Sequence, residues 1–461
     1  MINAEPGVMD FQTDNSNRSH RRRIAVIGSG ISGLSAAWLL DKSADVTLFE
    51  TDSRLGGHAN TVSVDLPGKD TIAVDTGFIV YNERNYPNLV ALFKHLDVKT
   101  DASDMSFAAS LNGGRLEYSG SGLAGLFGQT SNLLRPRFWT MVRDVLRFYK
   151  QAPSLLADST LESMSLGEYL DRNGYSASFI DDHLLPMGAA IWSTTAADMR
   201  AYPLQAFIRF FVNHGLVQLS DRPQWRTVKG GSREYVARIR SDFKGNIVLN
   251  SQIAAVRRDD DGVKLLDRSG QMSIFDDVVI ATHADQALAL LADADTDERS
   301  ILGAFDYTRN AAVLHSDETL MPARRNVWSS WNYLSEPNAT GAEQLCVTYW
   351  MNRLQNIDDA TPLFVTLNPS RPIDPAKLIR TFDYAHPLFD AKALEAQKLL
   401  WNLQGRRNTW FCGAHFGSGF HEDGLQSGLA VAEALGGVKR PWSVENESGR
   451  IFVTTERVMA P

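Results

Sequence analysis

Residues 21–50 read RRRIAVIGSGISGLSAAWLLDKSADVTLFE. Ile24–Ile27 is a short, β-branched run of the kind that forms a buried parallel strand. Gly28-Ser29-Gly30-Ile31-Ser32-Gly33 follows at G-x-G-x-x-G spacing, and Leu34–Leu40 continues as a helix. Gly28 permits the tight turn, Gly30 lets a pyrophosphate reach the backbone, and Gly33 lets helix and strand pack closely. The free N–H groups and positive dipole end of the helix then favour phosphate. Val46–Phe49 reads as a second strand closed by Glu50, at the spacing of a ribose-hydroxyl acceptor. No arginine or lysine directly follows Glu50, so a 2′-phosphate is disfavoured. An export signal would explain the Arg21–Arg23 cluster but neither the glycine spacing nor the second strand.

The rest of the composition sets bounds. At roughly 150 residues per domain, the 461 residues allow about three units. Cys346 and Cys412 are the only cysteines, which excludes a disulfide framework and a cysteine-rich metal site. A net charge of -8 argues against nucleic acid as a partner. No apolar run approaches the ~20 residues needed to span a bilayer. The expected protein is cytoplasmic, with a disordered leader at 1–20.

Arg54-Leu55-Gly56-Gly57 follows the second strand, and here a family resemblance begins. The run Glu50–Thr61 resembles the segment by which flavin-containing amine oxidases and their relatives hold FAD. Asp75-Thr76-Gly77, ending at Phe78, resembles the family's next loop, beside the ribityl chain. Trp225–Ser232 resembles its Gly-Gly turn before a helix, here Arg233–Asp242. A strand at Ile247–Leu249 and the run Ser251–Val256 follow, where the backbone near Ile253 meets adenine in relatives. Asp276–Thr282 reads as another buried strand. Trp410–His415 reads as strand and turn, and FGSGFHEDGLQSG (416–428) then enters a helix at Leu429–Leu435. That run resembles the C-terminal flavin motif, whose helix dipole stabilises charge on the reduced ring.

The resemblance implies an α/β fold, with a Rossmann-like FAD-binding domain and an inserted α+β substrate domain with a mixed or antiparallel sheet. The FAD-binding domain is expected from 21–101, 225–285 and 397–445. The substrate domain is expected from 102–224 and 286–396, with a tail at 446–461. FAD is the implied cofactor, held by Gly28, Ser29, Gly30, Ile31, Ser32, Gly33, Glu50, Thr51, Arg54, Gly56, Gly57, His58, Thr76, Gly77, Phe78, Ile253, Gly413, Gly424, Leu425 and Ser427. Several positions depart from the family. His58 stands where an arginine usually faces the pyrophosphate. Phe420 replaces the tyrosine of the amine cage, Ala414 replaces an acid, and Arg309–His315 carries no counterpart of the lysine near the flavin.

Between the flavin segments, Phe138, Met141, Val142, Val145, Leu146 and Tyr149 form one apolar helical face, beside Arg143, Arg147 and Lys150. This pattern suits a substrate-domain helix packed on its core, or a basic amphipathic surface in peripheral contact with a membrane. Gly122–Gly128 reads as a small apolar loop. Cys346–Met351 and Phe364–Leu367 read as antiparallel strands, and Pro387 makes Tyr384–Asp390 a turn.

HPLFD (386–390), FGSGFHEDGLQSG and GLFGQTSNLLRPRFW (125–139 from its second glycine) resemble a bacterial subgroup of FAD-dependent oxidoreductases associated with cyclopropane-fatty-acid synthase genes. The expected function is oxidation or desaturation of an apolar lipid or fatty acyl substrate by hydride transfer to flavin N5. An amine oxidase with an altered cage, a double-bond isomerase and a flavin-binding accessory subunit remain alternatives. Phe420 is the expected wall, and His415, His421 or Glu422 the candidate base. No metal is expected, and no nucleophile elbow or H-E-x-x-H spacing occurs.

Overall fold

The computed structural model describes residues 21–65, 68, 70–161, 163–192, 195–336 and 346–453; the leader at 1–20 and the last eight residues of the tail lie outside them. A parallel sheet has the order Asn246–Val248, Asp45–Phe49, Arg23–Ile27, Asp277–Ile280, Thr409–Phe411. Its central strands are buried apolar runs, as expected where helices cover both faces. The helix Ile31–Leu40 is buried along its whole length and packs on the C-terminal helix His421–Gly436.

That C-terminal helix begins eight residues before the expected start at Leu429. Gly424 and Gly428 lie inside it because two helices cross there. A Cβ on Gly428 would stand 2.2 Å from the Ser32 carbonyl oxygen, and one on Gly424 2.9 Å from Ile31 Cγ2. These glycines are therefore what allows close helix packing.

A seven-stranded mixed sheet has the order Leu378–Leu388, Asp306–His315, Phe364–Leu367, Cys346–Trp350, Trp331–Leu334, Phe107–Leu111, Leu116–Ser119. Its neighbours are antiparallel except Trp331–Leu334 beside Phe107–Leu111. The expected turn at Tyr384–Asp390 is instead mostly strand. Pro387 pairs opposite Tyr307 on the edge strand, where a missing N–H costs no ladder bond on the open side. Gly122–Leu126 is a short helix rather than a loop. The run after Ser251 opens a separate antiparallel sheet, Ile253–Asp259, Gly262–Asp267 and Met272–Phe275. Helices Pro136–Leu155, Leu185–Trp192 and Leu204–Asn213 fall in sequence between the sheet's strands Leu116–Ser119 and Asp306–His315, and share one core with the sheet.

Candidate functional site

One chamber of about 1840 Å³ runs from the glycine turn to the helix Pro136–Leu155. Ordinary small-molecule sites span ~300–1000 Å³, so this one has room for a dinucleotide and a substrate together.

The near arm is built by the first strand–turn–helix. Gly28 takes φ +100°, and its amide donates to the Phe49 carbonyl at 2.8 Å, joining the turn to the second strand. The Glu50 carboxylate accepts from Ser29 N at 2.9 Å, Ser29 Oγ at 2.5 Å and Asp52 N at 2.8 Å. It thereby fixes the turn while lining the chamber with Thr51. A Cβ on Gly30 would meet nothing within 4 Å, because this position opens into the chamber. Gly57, at φ +56°, brings the second loop against Gly30, to 3.1 Å from a built Cβ to Gly30 Cα. Ile31, Ser32, Gly56, His58, Thr76, Gly77, Phe78, Ile253 and Gly413 also line the chamber.

Five of the expected cofactor residues stand behind this wall. Gly33 packs helix on turn, since a Cβ there would lie 1.9 Å from the Gly28 carbonyl oxygen. Gly424 serves the helix crossing, and Leu425 is fully buried in the core. Ser427 Oγ accepts from the Gly413 amide at 3.0 Å and holds the strand–helix turn. The Arg54 guanidinium donates to the carbonyls of Gly57 at 2.8 Å and Ala59 at 3.2 Å, so it braces the Gly-Gly loop from outside the chamber.

The candidate catalytic residues separate in the same way. Phe420 lines the chamber, stacked on Phe210 with centroids 4.9 Å apart. His421 lies 3.7 Å from Phe78 in a stack, and its Nε2 meets the Tyr235 hydroxyl at 3.0 Å. Burial pushes its pKa down to about 3. His415 is also held at about 3, chiefly by burial and then by His283, and its Nε2 has no partner. Both rings are neutral at pH 7. Glu422 does not face the chamber. It accepts from Asn88 N and Leu89 N at 3.0 Å each, satisfying the first turn of the helix Pro87–His95. Glu422→Ala leaves these buried donors unpaired, at ~1–3 kcal/mol each. Its expected effect is a loss of about 2–5 kcal/mol in stability, read by denaturant unfolding, with flavin content of the folded protein unchanged. An unchanged unfolding midpoint contradicts this assignment.

His283, Tyr307, Tyr384 and His386 also line the chamber, outside the expected site residues. His58 stacks on Tyr384 at 4.9 Å, with His386 at 5.7 Å and His283 at 6.1 Å. His283 in turn stacks on Tyr307 at 4.5 Å. Burial, then the neighbouring histidines, holds His58 well below its ordinary value, so this position offers a neutral ring rather than an arginine-like cation. Alternation along Leu378–Leu388 was the available signal for Tyr384 and His386, and Pro387 masked it. No group of three or more His, Cys, Asp or Glu among the described residues is placed to hold a metal.

The far arm is mainly apolar. Val142, Val145 and Leu146 line it from one helix, with Met187, Ile191, Trp192 and Phe210 from two others and Leu219 from the loop that follows. Tyr118, His183 and Tyr149 form a buried polar cluster in the same wall, with Tyr118 Oη 3.0 Å from His183 Nδ1. The carboxylates among the described lining residues are Glu50, which holds the Ser29 turn, and Asp104, which pairs with Arg353 at 3.2 Å.

These residues fit FAD. Gly30 leaves an open cradle at a helix N-terminus, Glu50 stands at the ribose position, and the buried His58 Nε2 lacks a partner inside the chamber. Gly28 to Ser32, Glu50, Gly57, His58, Thr76 to Phe78 and Ile253 would hold it.

Comparison with known proteins agrees with this geometry. Residues 31–354 match the flavin-containing amine oxidoreductase family. A carotenoid phi-ring synthase from Streptomyces griseus is 29% identical over 167 residues, which cover 32% of this chain and 31% of that protein. The chain thus spans about a third of that relative. Among solved structures, a CLA-producing fatty acid isomerase from P. acnes aligns with a TM-score of 0.62 and 16% identity, covering 91% of this chain and 99% of that one. Cyclohexylamine oxidase from Brevibacterium oxydans aligns with a TM-score of 0.63 and 16% identity, covering 90% and 99%. The near arm has the shape and donors to hold the flavin that this family's description names, and the chain belongs to the flavin-containing amine oxidoreductase family.

Proposed function

We propose that the protein oxidises an apolar acyl chain, introducing a double bond, rather than an amine. One observation carries this reading: the far arm is apolar and holds no free carboxylate among the described residues. An ammonium substrate would have to shed its hydration there without a counter-charge, which costs several kcal/mol. A hydrocarbon chain instead gains ~0.8 kcal/mol per buried CH₂.

Bound FAD supplies the two-electron acceptor. Desaturation removes two hydrogens from the chain: a hydride, which bound FAD would accept, and a proton, which a chamber residue must take. His415 and His421 both line the chamber as neutral rings. His421 Nε2 is engaged by Tyr235, whereas His415 Nε2 has no partner among the described residues, so of these two weakly basic rings His415 is the one with a free lone pair for the proton. Phe420 and Phe210 supply a flat wall.

Anaerobic titration of the holoprotein with fatty acyl lipids and with primary amines, followed by flavin absorbance, tests the reading. Bleaching by acyl lipids and not by amines is the expected result. Bleaching by amines alone overturns it. Double-bond migration without net bleaching replaces desaturation with isomerisation on the same substrate class.

A further inference from the structure

We propose that the mouth of the far arm docks on an anionic lipid bilayer, from which the acyl chain enters. The proposal rests on the acyl reading for its motive, and on the surface around the mouth for its evidence.

That surface is apolar where a water-facing surface should not be. Leu134 is 88% exposed, Leu123 75% and Leu219 68%, while Trp139 and Leu146 are half-exposed. Leu123, Leu146 and Leu219 also line the chamber, so the apolar lining continues onto the outside. The patch is held together locally. The Trp139 indole donates to the Leu133 carbonyl at 3.0 Å, and its ring lies 5.6 Å from Phe127, which follows the helix Gly122–Leu126. Scattered exposed apolar residues mean little, but a cluster around one opening marks an interaction site.

The charges select the partner. Residues 122–155 hold Arg135, Arg137, Arg143, Arg147 and Lys150 against the single acid Asp144, in a chain whose net charge is -8. Arg137 pairs with Asp182, and Arg143 with Asp144. Arg135 and Arg147 bond backbone carbonyls instead, which leaves their charge uncompensated. Along the helix, Trp139, Arg143, Leu146 and Lys150 recur at three- and four-residue spacing and share one stripe. Tryptophan with apolar neighbours, flanked by long cationic side chains, is the composition of a helix lying in a membrane interface. A chain of net charge -8 is attracted to an anionic bilayer only through local basic patches, so this one favours turning the mouth toward the lipid. No helix among the described residues is long and apolar enough to cross a membrane, which makes the contact peripheral. A protein seated here would close the opening, whereas a bilayer both covers the apolar rim and supplies a water-insoluble chain.

The test is co-sedimentation of the FAD-loaded protein with vesicles of phosphatidylcholine alone and of phosphatidylcholine with phosphatidylglycerol, at low and high salt. Binding to the phosphatidylglycerol vesicles is expected, weakened by salt. The triple variant L123S/L134S/W139S should lose about tenfold or more in partitioning while keeping its flavin, because Leu123 and Leu134 are mostly exposed, Trp139 is half-exposed, and none is among the residues that would hold FAD. Lys150→Glu should weaken binding selectively to the anionic vesicles. Absent binding, or equal partitioning of wild type and triple variant, overturns the proposal. Self-association without vesicles that the triple variant abolishes also overturns it, by giving the face to a second copy of the chain. Vesicle binding is read without turnover, so it can stand when acyl lipids fail to bleach the flavin. It can equally fail while detergent-dispersed lipids still do so.

Discussion

Gly30→Phe is expected to strip FAD from the protein without unfolding it. Gly30 has φ -63° and ψ 177°, a conformation any residue adopts, and a Cβ there meets no atom within 4 Å. The added ring has only the chamber to enter, and it takes the place where pyrophosphate reaches the helix N-terminus. Losing two charge-assisted hydrogen bonds of ~1.5–3 kcal/mol each weakens binding by about 100- to 10,000-fold. The variant should purify colourless with an unchanged circular dichroism spectrum. Gly33→Ala provides the contrast. Its methyl would lie 1.9 Å from the Gly28 carbonyl oxygen, so the helix must move off the sheet and folding itself should fail. A Gly30→Phe protein that retains stoichiometric flavin contradicts the cofactor assignment.

Val145→Trp is expected to remove activity on long acyl chains while sparing short ones. Val145 is partly buried and faces the far arm from the helix Pro136–Leu155. The indole would project into open volume rather than a packed core, so overpacking strain is small. Excluding about four methylenes from the chamber forfeits about 3 kcal/mol of burial, or roughly a 100-fold fall in kcat/KM. Short-chain substrates that end before this position should keep their rate, and the flavin spectrum should match wild type. Equal losses for short and long chains would place the substrate elsewhere.

What the chain reveals in one dimension follows the range of each interaction. The fingerprint at Ile24–Glu50 was legible because the strand, turn and helix are neighbours in sequence, and Gly33 answers to Gly28 only five residues away. The Gly-Gly loop and Ile253 were legible by resemblance, and both line the chamber. Glu422 was misread because its partners, Asn88 and Leu89, lie more than 330 residues upstream. A carboxylate near a flavin motif looks catalytic until the helix end that it satisfies is known. The C-terminal helix starts at His421 rather than Leu429, because Gly424 and Gly428 serve a helix crossing with Ile31 and Ser32, about 390 residues away, that no local pattern announces. The helix Pro136–Leu155 resisted a single reading because it does three things at once. Phe138, Met141, Phe148 and Tyr149 are buried, Val142 and Val145 line the chamber, and Trp139 and Lys150 face solvent. His283 and His386 come from separate strands and loops, so no local pattern announces that they meet beside His58.

The central claim is that one chamber joins an FAD site to an apolar channel sized for an acyl chain. A crystal structure of the FAD-loaded protein with a long-chain fatty acid tests it most directly. The acyl chain is expected along Val142 and Val145, with its reacting carbons reaching Phe420. A far arm closed to the ligand, or an acyl chain bound only on the outer surface with Phe420 packed against the flavin, would contradict it.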